Sequence, residues 1–442
     1  MTGLLKEFIS ENHLPGTGHP ILLGVSGGID SMVLLDLLSK AGYNISVAHC
    51  NFSLRGKESD LDERFVEEVC AGKGIGFHTV RFDTAAYAKT KRISIQMAAR
   101  DLRYEWFEIK RVELGLGYIA LAHNKNDVVE TFMINLSRGT GLNGLTGIKP
   151  VNGNLIRPLL FATREMIRAY AAENNITYRE DSSNNETKYL RNRVRHLILP
   201  HFEILNSSAV VSINETIRKL SEAYDIVTSA VESRRSAIFT VKDDVIEANK
   251  ETLRGLDPLK TYLFELFREF GISPGQVDDL AELLDAESGR MIETAKYRIF
   301  SDRDKIHIVL SEQDNEGDDD IVFKNESELL SYSGHFHVSI IKPVQFIPAD
   351  NPSRAWLDAR SLSYPVIVRK WRAGDYLYPY GLKGKKKLSD LFIDLKIPLY
   401  MKEKVMIMQS GNDIAWVIGI RADRRFCVTG ESKMILEFYA GE

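Results

Sequence analysis

Residues 21–42 read ILLGVSGGIDSMVLLDLLSKAG. An apolar run of Ile21, Leu22 and Leu23 ends in Gly24. Small residues follow, and then an apolar segment of helical length closes on Gly42. This is the pattern of a buried strand turning directly into a helix. Gly27 and Gly28 let the backbone turn tightly and bring N–H groups close to an anion. Ser26 and Ser31 add hydroxyls, and the helix opening beside them points its positive end at the same spot. A bare carboxylate such as Asp30 repels phosphate, so its presence makes sense if it holds Mg²⁺ that bridges to the phosphates. The plainer reading is a strand-to-helix turn with Asp30 or Ser31 as its cap. No lysine follows, so this is not a GxxxxGK loop, and it is not GxGxxG either.

Outward from this turn, residues 20 to about 150 alternate strand-like and helix-like segments. ISVAHC, FHTVRF and YIALAH read as strands. SDLDERFVEEVCAGKG, ISIQMAARDLRYEWFEIKRVELG and NDVVETFMINLSRG read as helices, the first with Leu61, Phe65, Val66, Val69 and Cys70 on one side. That rhythm means βαβ units and a doubly wound parallel sheet, whose ligands bind at the carboxyl ends of the strands. Residues 208–310 read as mostly helical, ending in a hairpin-like segment at 290–310. Short alternating runs then predict a small strand-rich terminal domain. The expected fold is α/β: an N-terminal doubly wound parallel sheet (1–205), a mainly helical middle domain (206–315) and a small α+β C-terminal domain (316–442).

Bulk properties narrow the class. The 442 residues exceed one compact core. No long uncharged apolar stretch suggests a membrane span, and the N-terminus lacks a secretory layout. Cys50, Cys70 and Cys427 are widely spaced and form no CxxC, which fits a cytoplasmic protein. Net charge is −4, yet the basic residues cluster. Lys188, Arg191, Arg193 and Arg195 are uninterrupted by acids, and residues 369–404 hold ten Lys/Arg against four Asp/Glu. Residues 311–320, with six acids, look like a linker. Local basic faces can bind phosphate on an acidic protein, although such runs are as often plain solvated surface.

The turn SGGIDS resembles the pyrophosphate-binding loop of the PP-loop ATP pyrophosphatases, the adenine nucleotide alpha hydrolase-like enzymes that split ATP between its α and β phosphates. Six further segments resemble one member family, the tRNA(Ile)-lysidine synthetases, in the family's order. They are HCNFSLRG (49–56), AARDLRY (98–104), AHNKNDVVET (122–131), RGTGLNGLTG (138–147), RPLL with Arg164 and Ile167 behind it, and EDSSNNETKYLRNRVR (180–195). WRAGDYLYPYGLKGKKKLSDLFIDLKIP (371–398) resembles the family's C-terminal domain. Three departures stand out: Asn124 and Phe52 replace usual histidines, and Lys402 and Lys404 stand where an arginine is usual. No acid–base role is assigned to Asn124 or Phe52.

The resemblance implies a ligase that joins lysine to C2 of the wobble cytidine of tRNA(Ile) with anticodon CAU. ATP adenylates the cytosine O2, and the lysine ε-amine then displaces AMP. The implied ATP site is Ser26, Gly27, Gly28, Ile29, Asp30 and Ser31, joined by His49, Asn51 and His123 from strand ends. Asp30 is the implied Mg²⁺ ligand. Arg100 is expected near the α-phosphate. Asp127 and Glu130, three apart at a helix start, are expected to hold the substrate lysine and receive its proton; by spacing alone they read as acids complementing a helix dipole. Arg191 and Arg195 share one helical face, and with Asn192 are expected on the α-phosphate or the tRNA backbone. Lys383, Lys385, Lys386 and Lys387, downstream of Tyr376, Tyr378 and Tyr380, are expected to grip tRNA. The implied partners are that tRNA and free L-lysine, with no membrane; a homodimer is left open.

Two relatives of the same superfamily fit less well. A sulfur-inserting tRNA enzyme needs paired cysteines, and an amidotransferase ligase brings a glutaminase domain. A non-catalytic tRNA- or nucleotide-binding protein is the alternative of a different class.

Overall fold

The computed structural model describes residues 1–179, 190–242, 244–311, 320–342, 351–381 and 384–440. The chain divides into two compact units, Met1–Ser229 and Ala230–Glu442.

The first unit begins with α1 (Thr2–Glu11) and β1 (Ile21–Gly24). There follow α2 (Ile29–Lys40), β2 (Ile45–Asn51), α3 (Lys57–Lys73), β3 (Gly76–Arg81), α4 (Thr84–Lys91), α5 (Ile95–Glu113), β4 (Tyr118–Ala120) and α6 (Lys125–Ser137). A short ladder, β5 (Val151–Asn152) and β6 (Leu155–Ile156), then leads to α7 (Arg164–Glu173), α8 (Leu190–Arg193), α9 (Leu199–Leu205) and the long α10 (Ala209–Ile238), whose residues from Ala230 on belong to the second unit. The sheet order is β3-β2-β1-β4-β6-β5. All pairings are parallel except β5–β6 at the edge. The expected doubly wound sheet is therefore present.

The apolar run of β1 has no polar alternation because the strand is covered on both faces: Ile21, Leu22 and Leu23 are fully buried. Removing each from water contributes about 1.5–3 kcal/mol. Leu23 pairs with Val47 on one side and Ala120 on the other. The chain winds outward in both directions from β1, so the β1/β4 junction is the switch point where a crevice opens. Helix α2, buried along residues 31–38, fills the layer directly behind it.

Two local expectations change. On α3, Val66 and Cys70 are buried as expected, but Leu61 is 47% exposed. The buried positions of its first turns are Ser59 and Asp62, because that end of the helix meets arginines rather than apolar core. The segment YIALAH is strand only at Tyr118–Ala120; Ala122 and His123 leave the sheet to line a pocket.

In the second unit, β7 (Phe239–Lys242) and β8 (Val245–Asn249) precede α11 (Lys250–Arg254), α12 (Leu259–Phe267) and α13 (Val277–Asp285). Strands β9 (Met291–Glu293), β10 (Tyr297–Asp302) and β11 (Lys305–Leu310) complete a five-stranded sheet of order β7-β8-β11-β10-β9. The helices and the hairpin were legible, whereas β7 and β8 add to them; these strands are short and mostly half-exposed, which leaves little apolar pattern.

The remainder is strand-rich, as expected. It contains β12 (Ile321–Phe323), α14 (Glu326–Leu330), β13 (Phe336–Ile341), β14 (Arg354–Asp358), β15 (Val366–Lys370), β16 (Tyr376–Leu377) and β17 (Lys386–Lys387). After α15 (Leu388–Asp394) and α16 (Leu399–Lys402) come β18 (Met406–Ser410), β19 (Asp413–Val417), β20 (Arg421–Ala422) and β21 (Ile435–Ala440). They form sheets β12-β15-β18-β19-β20 and β13-β21-β14 around buried Trp416, Phe336 and Phe438. Most of the expected acidic linker, residues 312–319, lies outside the described residues. Among the described residues no helix is long and apolar enough to cross a membrane, and all three cysteines are free thiols.

Candidate active site

The loop between β1 and α2 is held by its own small residues. Gly27 has φ +89°, a conformation that favours glycine. A Cβ on Gly24 would lie 2.8 Å from Leu121 and Phe107, so any larger residue ending the strand would push those side chains aside. The Ser31 hydroxyl donates to the Gly28 carbonyl (2.9 Å) and accepts from the Ser26 N–H (3.2 Å), while Ser26 Oγ accepts from the Gly28 N–H (3.3 Å). The two hydroxyls therefore shape the cradle themselves. Asp30 lies in the first turn of α2 with Oδ1 buried and without a hydrogen-bond partner. Burial, then the charge of Asp127, pushes its pKa up to about 6, against the pull of Arg164, Asn124 and Arg195. An orphaned, half-desolvated carboxylate oxygen is what a hard cation would satisfy, so the residues present fit Mg²⁺. Among the described residues no group of three ligating side chains forms a metal cage.

Opposite the loop stands α6. Asn124 caps it reciprocally with Asp127: the Asp127 N–H donates to Asn124 Oδ1 (3.1 Å) and the Asn124 N–H to Asp127 Oδ2 (3.0 Å). The asparagine found where a histidine was expected is thus a helix cap, a task asparagine performs well. One turn on, Glu130 is completely buried and ringed by arginines. Arg164 reaches it at 3.0 Å, Arg191 at 2.7 Å and Arg195 at 2.8 Å. Burial drives Glu130 upward, but the Arg195 hydrogen bonds and the three guanidinium charges outweigh it and hold the carboxyl at about 2. Asp127 is pushed upward by burial and by Glu130, with Arg191 opposing.

Two cavities meet at the loop, sharing Ser26, Asp30 and Ser31. A pocket of about 230 Å³ opens at the β1/β4 switch point and is lined by Gly24, Phe52, Arg103, Phe107, Leu121 and His123 among others. Phe52, Phe107 and Leu121 share its walls with the polar groups of Asp30, Arg103 and His123, a mixed lining that suits an aromatic ring with polar edges. His123 Nδ1 is buried there without a partner, and burial, followed by the charges of Arg157, Arg191, Arg103 and Arg100, pushes the imidazole down to about 3. It is neutral at physiological pH. The second cavity, about 580 Å³, carries five guanidinium groups: Arg55, Arg164, Arg168, Arg179 and Arg195. Four carboxylates, Asp30, Asp62, Glu165 and Glu203, share that lining, and the guanidinium forks among them match the oxygens of a polyphosphate.

The sequence-predicted residues divide accordingly. Ser26, Gly28, Ile29, Asp30, Ser31 and Arg195 line the cavities and His123 the pocket, while Gly27 shapes the loop. Arg191 and Arg195 do share a face, meeting at Glu130. Asn192 is half-buried on α8, next to Arg191.

Four expectations are corrected. His49 does not line either cavity: it is buried, with Nδ1 at 2.9 Å from the Val25 carbonyl, and so ties β2 to the loop. Asn51 is likewise buried, bonded to Asp60, Glu63 and the Ser53 N–H. Arg100 is exposed and stacks on Tyr104 at 4.8 Å, whereas Arg103, one turn along α5, enters the pocket over the Phe52 ring at 5.3 Å. Glu130 has no exposed surface for an incoming ammonium, because both its oxygens are taken by guanidinium groups.

Sequence reasoning also missed Arg103, Arg164 and the cluster Arg55–Asp62–Arg179. The available signal was unusual polarity on the inner face of α3 and in AARDLRY. In the second unit, Lys385 lies over the Tyr376 ring (4.7 Å) and Arg425 over Tyr378 (4.3 Å), with Lys387 exposed beside them. Lys386 is paired with Asp394. Lys383 lies outside the described residues.

Comparison with known proteins agrees with this geometry. Residues 4–202 match a PP-loop domain, 241–312 a TilS substrate binding domain and 366–438 a TilS substrate C-terminal domain. A protein of Parabacteroides distasonis named tRNA(Ile)-lysidine synthase is 37% identical over 440 residues, covering 99% of each chain. Its namesake in Bacteroides thetaiotaomicron is 37% identical, covering 97% of each, and one from Porphyromonas gingivalis is 34% identical over 97% of this chain and 96% of that one.

Proposed function

As the chain belongs to the tRNA(Ile)-lysidine synthase family, we propose that it ligates L-lysine to C2 of the wobble cytidine of tRNA(Ile) bearing anticodon CAU. In this reading ATP adenylates the cytosine O2, releasing pyrophosphate, and the lysine ε-amine then displaces AMP. The modified base pairs with A, so the tRNA reads AUA and is charged with isoleucine instead of methionine. The observation that carries the proposal is the adjacency at one loop of a pocket walled by Phe52, Phe107 and Leu121 with polar groups at its edges, and a cavity lined by five arginines. Such a pair is suited to the base and the phosphates of one nucleotide.

The roles follow from the contacts. The pocket beside His123 and Arg103 receives the adenine, and the backbone of residues 26–31 faces the phosphates. Asp30 would hold Mg²⁺, which when bound neutralises charge on phosphate oxygens. Arg164 and Arg195 stabilise developing negative charge from fixed positions, which is worth most in a desolvated site. Glu130 is assigned to holding these guanidinium groups. Asp127 is assigned to the substrate ammonium and its proton; one of its oxygens accepts from the Asn124 N–H and the other lies 3.3 Å from Arg191, so the ammonium would take the place of Arg191 there. Arg191, Asn192 and Arg100 are assigned to the tRNA side. The regions 206–315 and 316–442 are proposed to grip other parts of the tRNA, the latter through Lys383, Lys385 and Lys387.

The test is direct. Protein incubated with ATP, lysine and unmodified tRNA(Ile) should release AMP and pyrophosphate only when lysine is present, and methionine tRNA should be refused. AMP release that ignores lysine would end the proposal.

A further inference from the structure

Asp62 is a buried acid with no place in the reaction just described. It lies on the inner face of α3, 7% exposed. Its Oδ2 accepts from Arg55 Nη2 at 2.8 Å, and its Oδ1 accepts from Arg179 Nε. Both guanidinium groups line the large cavity together with Ser26, Gly28, Ile29 and Asp30. The cluster is tied to the loop itself: the Arg179 N–H donates to the Gly27 carbonyl at 3.0 Å, and the side chains of Phe65 and Val66 pack where a Cβ on Gly27 would point. The cavity therefore has two walls built alike. Glu130 organises Arg164 and Arg195, and Asp62 organises Arg55 and Arg179.

We propose that Asp62 is a positioning residue that aims Arg55 and Arg179 at the β- and γ-phosphates, so that this wall holds pyrophosphate as it leaves. Two arginines brought to one place repel each other and sample many rotamers. One buried carboxylate between them removes both costs and fixes the fork geometry that matches phosphate oxygens. Asp62 reaches the lining of the large cavity, but its two oxygens are occupied by Arg55 and Arg179, so its loss misplaces their charge without emptying the adenine pocket, whose lining residues do not include it.

This inference rests on the ATP-splitting reading above. The test is calorimetric titration of the full chain with inorganic pyrophosphate and, separately, with AMP. Asp62→Asn should weaken pyrophosphate about tenfold, the loss of one well-placed charged contact, while AMP changes less than about twofold. Asp62→Glu should recover part of the loss. Arg55→Gln and Arg179→Gln leave the acid in place and should reproduce the effect, which keeps the test decisive should Asp62→Asn fail to fold. Equal loss of AMP and pyrophosphate, unchanged pyrophosphate binding in the folded variants, or weakened tRNA binding with pyrophosphate intact would each overturn it. If the unaltered protein binds neither ATP nor pyrophosphate, the proposed function falls as well.

Discussion

Arg195 and Glu130 are joined by two parallel hydrogen bonds, Nε to Oε1 at 2.8 Å and Nη2 to Oε2 at 3.1 Å. The carboxylate is wholly buried and shared with two more guanidinium groups, so it is the anchor of the cationic wall.

Glu130→Gln should therefore cost about 3–5 kcal/mol, because it leaves buried guanidinium groups without their counter-charge. The folded carboxyl titrates at about 2 against an ordinary 4.5. A depressed acid stabilises the fold above the unfolded value and loses that contribution as pH falls toward the folded one. Denaturant melts at pH 7, 4 and 3 should thus show the gap between the two proteins narrowing on acidification. A constant gap would contradict the assignment.

Asp30→Asn should act in the opposite sense. The folded pKa, about 6, lies above the ordinary 3.8, so the native state prefers the proton and carrying the charge costs stability above pH 6. Without Mg²⁺ at pH 7.5, the variant should be more stable by up to about 3 kcal/mol. Its turnover should nevertheless drop about 100-fold or more, since the charge that would hold the ion is gone. Thermal melts and AMP release, measured on the same preparation, check both halves.

Arg103→Ala should raise the KM for ATP about tenfold. Arg100→Ala should change it less than about threefold, being exposed and stacked on Tyr104. Steady-state kinetics at saturating lysine and tRNA distinguish the two, and equal effects would mean that the pocket is not the nucleotide site.

In the second unit, Lys385→Ala and Lys387→Ala should each weaken tRNA binding and lower the slope of log K against log salt by about one. Lys386→Ala should do less, because that ammonium is already paired with Asp394. Filter binding across a salt series would show this; equal slopes for all three would remove the lysine loop from the interface.

The sequence by itself determined the parallel sheet and the place of the loop. An unbroken apolar run before a glycine-rich turn has few other solutions, and βαβ rhythm is local information. It also put Asp30 in the first turn of the helix behind the loop, because position within one turn is local too. It could not say which way side chains face once helices pack. Arg100 and Arg103 lie in one motif, and the packing of α5 decides that the second enters the pocket. His49 and Asn51 have the residue types of ligands, and the closeness of Val25, Asp60 and Glu63 makes them struts instead. Glu130 reads as a free acid until three arginines, 34 to 65 residues away, close around it. Pairing energies of buried charges depend on distances across the fold, and no run of neighbouring residues encodes them.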